Sequence, residues 1–455
     1  MTTRPRRPTT AGRNYSPLRS AVILTLSFLL PLLWHAYSDR LSEINVPALW
    51  RRSEGVVGES SLNATSPAPV FANQQTEDAA RMLQDLRRDS GKWNSNHPRY
   101  RLLNSLKAYL RYGEERTADL DTWRKRYKKL SREQRSNLER TVGYTNKLNT
   151  VEALMIKNSG LAEDILSYGL KFYGVARLEL DEFVEDTKNE TNKQKGNTLY
   201  AVKHFVRDWS NEGLYERQTT YPCVLDAVRK EFPATSPSTP AKILVPGSGL
   251  GRLGHEIAAL GDFEVTMNEF SYSMNIAYHY ITTLSSVNAS AIHPYIDWWS
   301  HRATTADLTR SVSFPDNISI LSQPSISLIE GEFTTALKPH LGTYDALVSH
   351  FFIDTATNIL TYLETIHAML KPGGVWINFG PLLYGSMPTL QLSLDEVIAM
   401  AESLGFELEQ PGEGCGRVMG FDSRVRGAHV PYAHDEESLN RNAYLAQHWV
   451  ARKKK

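Results

Sequence analysis

One stretch, Lys242–Glu269, restricts the fold of this chain more than any other. It reads KILVPGSGLGRLGHEIAALGDFEVTMNE. Ile243, Leu244 and Val245 form the short apolar run of a strand buried on both faces, and Pro246 ends it. Gly247, Gly249 and Gly251 follow as a turn free to take positive φ, with no side chain to keep a ligand from the backbone. From Leu250 the spacing is helical, with Leu253, Ile257, Ala258 and Leu260 on one face and Gly261 where a C-cap belongs. A second apolar step starts at Val265 and closes on Glu269. Strand, glycine turn, helix, strand and acid make a nucleotide-binding βαβ unit, whose acid can accept both ribose hydroxyls. The unit alone does not separate a dinucleotide from S-adenosylmethionine.

Composition narrows the remaining classes. The 455 residues allow two or three domains, and a 41% hydrophobic content supplies a sizeable core. A net charge of +1 gives no bulk attraction for nucleic acid, so no nucleic-acid partner is expected. Cys223 and Cys415 are the only cysteines, too few for a disulfide framework or a cysteine-rich metal site, and no metal is expected.

The amino-terminal segment has a character of its own. Residues 1–20 carry five arginines and no acid, and residues 21–37 read AVILTLSFLLPLLWHAY. A single-pass membrane anchor fits this run best, with Trp34 and Tyr37 at the interface. A cleaved signal peptide, an arginine-rich presequence and a core helix are the competing readings. The basic flank places Arg4–Arg19 on the cytosolic side, but which membrane and which orientation stay open. Four sequons, at Asn63, Asn189, Asn288 and Asn317, add little.

The expected organisation is a basic tail (1–20), a transmembrane or signal-anchor segment (21–37), a linker (38–78), a helical region (79–232) and a Rossmann-like domain (241–455). Within the helical region, Ser131 with Gln134 reads as a capping box, and residues 151–173 as an amphipathic helix. In residues 199–209, Val202, Phe205, Val206 and Trp209 form an apolar face with Arg207 beside it. Arg207 is either a surface cation or a clamp for a ligand carboxylate, and the residues alone favour the surface.

Beyond the βαβ unit, Ile326–Ile329 reads as a strand followed by Glu332-Phe333, an acid–aromatic pair that can hold an adenine by its amine and its face. Another strand, 344–349, runs into His350-Phe351-Phe352-Ile353-Asp354. Ligands of open parallel sheets bind at the carboxyl ends of strands, which puts Asp354 where substrate meets cofactor, although it also suits the N-cap of a helix over 355–370. Helix, Lys371-Pro372-Gly373-Gly374 and strand 375–379 then continue as Rossmann-like methyltransferases do.

These motifs together carry a resemblance. FVRDWS (205–210), ILVPGSGLGRLGHEIA (243–258), NEFS (268–271), FFIDTA (351–356) and KPGGVWINFGPLLY (371–384) resemble the carnosine N-methyltransferase family, from about Tyr100 to the end of the chain. The resemblance implies a class I, Rossmann-like fold and an enzyme that moves methyl from S-adenosylmethionine to the imidazole of the dipeptide carnosine, giving anserine. It puts His204, Arg207, Gly247, Gly249, Glu269, Glu332, Phe333 and His350 on cofactor-binding positions, and Asp354 and Tyr444 on substrate-binding ones. Asp354 is the expected catalytic residue, orienting the imidazole. The family usually has Gln at 204, Asp at 332 and Cys at 350. After GPLLY it carries a substrate-contacting histidine where this chain has Gly385. Three alternatives therefore stay open: a methyltransferase acting on another histidine-containing peptide or small molecule, a cofactor-binding but silent membrane-tethered scaffold, and an NAD-dependent oxidoreductase. A homodimer is a further open expectation.

Overall fold

The structure, a computed structural model, describes residues 70–188, 195–385 and 387–455. The apolar segment 21–37 lies outside the described residues. Among them, no helix is long and apolar enough to cross a membrane. The expected single-pass membrane localisation is corrected accordingly: the segment that motivated it is not among the described residues, and nothing within them replaces it.

Among the described residues, eight α-helices come first: α1 (Val70–Asp85), α2 (Pro98–Leu110), α3 (Tyr112–Lys128), α4 (Arg132–Val142), α5 (Tyr144–Phe172), α6 (Arg177–Asp186), α7 (Lys195–Trp209) and α8 (Leu214–Glu231). α1 takes in the end of the stretch read as linker, and it is held by Gln75 Nε2 donating to the Ile326 carbonyl at 2.7 Å. The Ser131–Gln134 capping box starts α4, at 3.0 and 3.1 Å, and Gly143 in the left-handed region ends it. Leu102, Leu103 and Leu106 of α2 and Ile165 and Leu166 of α5 are fully buried. Each such side chain contributes about 1.5–3 kcal/mol, which outweighs the modest helix propensity of these segments. Gly169 lets α5 approach closely, since a Cβ there would meet Ile276 at 2.8 Å and Leu106 at 3.1 Å.

The second half supplies the sheet: β1 (Ala241–Pro246), α9 (Arg252–Ala258), β2 (Phe263–Glu269), α10 (Tyr272–Ile281), β3 (Ser290–Ile292), α11 (Thr305–Thr309), β4 (Val312–Phe314), α12 (Ile318–Leu321) and β5 (Ile326–Glu330). It continues with α13 (Phe333–Ala336), β6 (Tyr344–His350), α14 (Ile359–Met369), β7 (Leu370–Gly380), α15 (Leu394–Ser403), β8 (Phe406–Glu409), β9 (Arg417–Met419), β10 (Asp422–Pro431) and β11 (Ala443–Lys453). The main sheet runs β5-β2-β1-β6-β7-β11-β10-β9, with β8 also paired to β11, while β3 and β4 form a separate two-stranded antiparallel sheet. β5, β2, β1, β6 and β7 are parallel, and β11 enters antiparallel to β7. This is a mixed α/β, Rossmann-like sheet.

Strand alternation sorts the core into two layers. Ile243, Val245, Val265, Met267, Ala346, Val348, Val375 and Ile377 face the layer that includes α2, α5, α7, α8 and α10. Leu244, Leu347, Trp376 and Trp449 face α14 and α15. Because both faces are covered, the central strands read as continuous apolar runs. The winding reverses between β1 and β6, so a crevice opens at their carboxyl ends.

Candidate functional site

The glycine turn sits at that reversal. Gly247 has φ +63 and Gly249 φ +58, where any side chain is strained. Space is limiting as well: a Cβ on Gly247 would meet the Phe352 ring at 2.4 Å, and one on Gly249 would lie 3.3 Å from His204 Nδ1 and 3.5 Å from Arg207 Nη2. Glu269, at the end of β2, accepts from the Gly249 N–H at 2.9 Å and the Ser271 N–H at 2.8 Å. Burial raises its pKa, and these backbone donors offset part of that rise.

α7 brings His204 and Arg207 over the turn. Arg207 Nε donates to Asp208 Oδ1 at 2.7 Å, and His204 Nδ1 lies 3.3 Å from Asp208 Oδ2. Burial opposes the Asp208 charge, yet the Arg207 guanidinium and His204 outweigh it and hold the carboxyl well below its usual range. Burial, then Arg207, lowers the His204 pKa. The carboxyl end of α7 is fastened from behind. Trp209 Nε1 donates to the Leu250 carbonyl at 2.8 Å. Arg217 Nη1 donates to the carbonyls of Arg207 at 2.6 Å and Ser210 at 3.0 Å, and Arg252 Nη1 to that of Asp208 at 3.0 Å. Asp316 joins the two guanidiniums, accepting from Arg217 at 2.5 Å and Arg252 at 2.6 Å. Asp208 lies in the FVRDWS motif without a role read for it, and no motif in the sequence pointed to Asp316.

At the end of β5, Glu332 caps α13, accepting from the Thr334 N–H at 2.8 Å. The Phe333 ring is buried edge-on to Phe352 at 5.1 Å and Tyr362 at 5.2 Å, so it packs into the core beneath the crevice.

β6 delivers the other half of the site. Phe351 takes φ +52, a strained value for an aromatic residue. A Cβ on Gly380 would come within 2.8 Å of the Phe351 nitrogen, so the glycine at the end of β7 makes this bend fit. Asp354 lies in the 3-10 turn Ile353–Thr355, not at a helix start, because Asn358 caps α14 instead, accepting from the Leu360 N–H at 3.1 Å. Asp354 is 6% exposed and accepts from the Leu383 N–H at 2.9 Å, and burial lifts its pKa to about 6. His350 stands edge-on to Tyr221 at 5.4 Å, and its Nε2 is buried without a hydrogen-bond partner. Burial, then Arg207, lowers its pKa to about 3, so the ring is neutral.

The antiparallel register of β11 pairs Gln447 with Gly380, which carries Tyr444 past the carboxyl end of β7 to the same rim. There Phe351 stacks on Tyr432 at 5.4 Å, and Tyr444 meets Tyr432 at 5.4 Å and Phe351 at 6.3 Å. Asp354 is close enough to raise the Tyr444 pKa, after burial. Tyr432, one residue past the end of β10, carried no signal in the sequence, since that strand was not anticipated. Gly385 faces open space, with no atom within 4 Å of a Cβ there.

Comparison with known proteins agrees with this architecture. The family model described as Carnosine N-methyltransferase matches residues 184–455. The carnosine N-methyltransferase of Rattus norvegicus is 37% identical over 219 residues, 46% of this chain and 54% of that protein. Carnosine N-methyltransferase unmet of Drosophila melanogaster is 32% identical over 262 residues, 56% of this chain and 54% of that protein. The Schizosaccharomyces pombe carnosine N-methyltransferase is 29% identical over 329 residues, covering 68% and 83%. The chain spans about half the length of the first two relatives. With the family model matching more than half of its residues, the chain belongs to the carnosine N-methyltransferase family.

Proposed function

We propose that the chain is an S-adenosylmethionine-dependent N-methyltransferase that methylates an imidazole nitrogen of carnosine, giving anserine. The observation that carries this reading is the convergence of the glycine turn, Glu269 and the His204–Arg207 face of α7 at one end of the crevice, with Asp354 and Tyr444 on the same strand ends. The residues fit the cofactor. Glu269 is an acceptor-only group suited to a diol, and each of its oxygens keeps a lone pair beyond the backbone N–H it accepts. Arg207 is a cation for the carboxylate end. The orphaned His350 Nε2 offers one more polar contact.

S-adenosylmethionine supplies a methyl group already activated on its sulfonium. The protein's part is alignment and exclusion of water. Asp354 accepts the N–H of one imidazole nitrogen, which fixes the tautomer and leaves the lone pair on the other for in-line attack. After transfer, the cationic ring gives up that proton through Asp354, whose pKa of about 6 suits the exchange. Phe351, Tyr432 and Tyr444 wall the ring in.

One observation favours a second reading. The open space at Gly385 leaves room for a different or larger imidazole compound, such as another histidine-containing peptide. Incubating the full chain with methyl-labelled S-adenosylmethionine and carnosine separates the cases. Label in anserine supports the proposal. Cofactor binding by calorimetry without transfer to carnosine points to another substrate, or to a silent site if a panel of imidazole peptides also fails. Absence of cofactor binding removes the reading altogether.

A further inference from the structure

The chain's two cysteines stand far apart in sequence, Cys223 on α8 and Cys415 in the connection between β8 and β9. The fold brings them together. Both are free and buried, and both line one cavity of about 130 Å³, room for small molecules, which His448 of β11 also lines. Charged groups, among them Asp226, Lys230 and Glu409, also line it. The methyl-transfer reading uses none of these residues.

The pair is asymmetric. Cys223 Sγ donates toward the Gly414 carbonyl at 3.8 Å. Its hydrogen bond with Cys415, and then burial, push its thiol up. The same hydrogen bond pulls Cys415 down, and His448 adds to the effect. The state of His448 follows from its neighbours. Nδ1 lies 2.9 Å from the Asn378 carbonyl, which can only accept, so the proton sits on Nδ1. Nε2 therefore carries the lone pair, buried without a hydrogen-bond partner in the cavity that Cys415 also lines. Cys415 is thus the nucleophile, Cys223 the protonated second thiol and His448 the base.

We infer that Cys223, Cys415 and His448 form a dithiol site that a small hydroperoxide oxidises to a Cys223–Cys415 disulfide, and that an external dithiol reduces again. His448 Nε2 takes the Cys415 proton, and the thiolate attacks the nearer peroxide oxygen. The O–O bond breaks, the departing hydroxide takes the proton back from His448, and water leaves with Cys415 as sulfenic acid. Cys223 sulfur then attacks Cys415 sulfur. The expelled hydroxide takes the Cys223 proton and leaves as a second water. Two thiols lose two electrons and two protons, and the peroxide becomes two waters. The bond ties α8, which carries Tyr221 against His350, to the connection leading into β9 and β10.

The test uses the full chain and does not depend on methyl transfer. Hydrogen peroxide is added, quenched, and followed by alkylation in denaturant and intact mass. The expected product is two hydrogens lighter, has lost both alkylation sites together, and regains both with a dithiol reductant. Cys223→Ser leaves a sulfenic acid on Cys415 that dimedone traps. His448→Gln slows oxidation about tenfold or more, with an unchanged melting curve showing that the fold is intact. Full alkylation of both cysteines after peroxide, or their independent oxidation to sulfinic acids, overturns the inference. An unchanged rate in His448→Gln overturns the role of the base.

Discussion

Removing the Asp316 carboxylate tests how the cofactor side of the crevice is held. Asp316 is buried between two buried guanidiniums, with side-chain exposures of 7% against 4% for Arg217 and 6% for Arg252. Its own N–H donates to the Trp209 carbonyl at 2.8 Å, so it sits at the foot of α7. In Asp316→Ala, Arg252 keeps Glu256 at 2.8 Å and Arg217 keeps only carbonyl oxygens. One buried cation is then left without a counter-charge. Breaking a buried pair in this way costs about 3–5 kcal/mol, because the survivor stays desolvated. For a domain of this size the melting temperature should fall on the order of 10 °C. Arg217→Met in the same chain should recover a large part of the loss, since it removes the stranded charge, and the double-mutant cycle isolates the coupling. Calorimetry on the folded fraction should also show weaker S-adenosylmethionine binding, because Arg207 loses its anchor. A change in stability of under about 0.5 kcal/mol in Asp316→Ala, the range of an ordinary surface substitution, would refute the reasoning.

Three further outcomes follow from the same geometry. Asp354→Asn should lose turnover with little change in cofactor affinity, and wild-type kcat/KM should rise with pH through about 6 and then level; equal loss of turnover and affinity contradicts the assignment. The stability sign is opposite: a carboxyl whose folded pKa lies above its unfolded value of about 4 contributes stability that is present below pH 4 and gone above pH 6, so at pH 8 Asp354→Asn should unfold about 2 kcal/mol harder than wild type by denaturant titration. Glu269→Ala should weaken cofactor binding about 10–100-fold in calorimetry, the value of hydrogen bonds to a charged acceptor, and unchanged affinity argues against the ribose contact. Gly385→His meets no atom at its Cβ, so it should fold within about 0.5 kcal/mol of wild type and raise the turnover of carnosine; equal turnover shows that no imidazole is needed at that position.

The local parts of this architecture were legible in the sequence. The βαβ unit announced itself because its apolar run, glycines and acid are neighbours in the chain, and β1, α9 and β2 follow that order. The Ser131–Gln134 capping box is likewise a short-range pattern. Where the reading failed, the cause was distance or competition. α9 stops at Ala258, a turn before the expected cap at Gly261. Asp354 looked like a helix N-cap because Asp commonly fills that role, but Asn358 does so here. Asp316 and Tyr432 gain meaning only from partners many residues away, which no periodicity records. β10 alternates weakly and was missed altogether, since charged Arg424 and Arg426 are satisfied by Glu402 and the Gly416 carbonyl rather than by solvent alone.

The placement of β11 has a bearing on how the chain reaches this state. β7 and β10 have no ladder between them, and β8 and β10 both pair with β11, which lies later in the chain than any of these. Until β11 slides in, three strands expose unpaired edges, and the rim that holds Tyr432 and Tyr444 does not exist. Such open edges are templates for pairing with other chains. The parallel half is complete in the chain before its last strand, whereas the aromatic rim at Tyr432 and Tyr444 waits for β11.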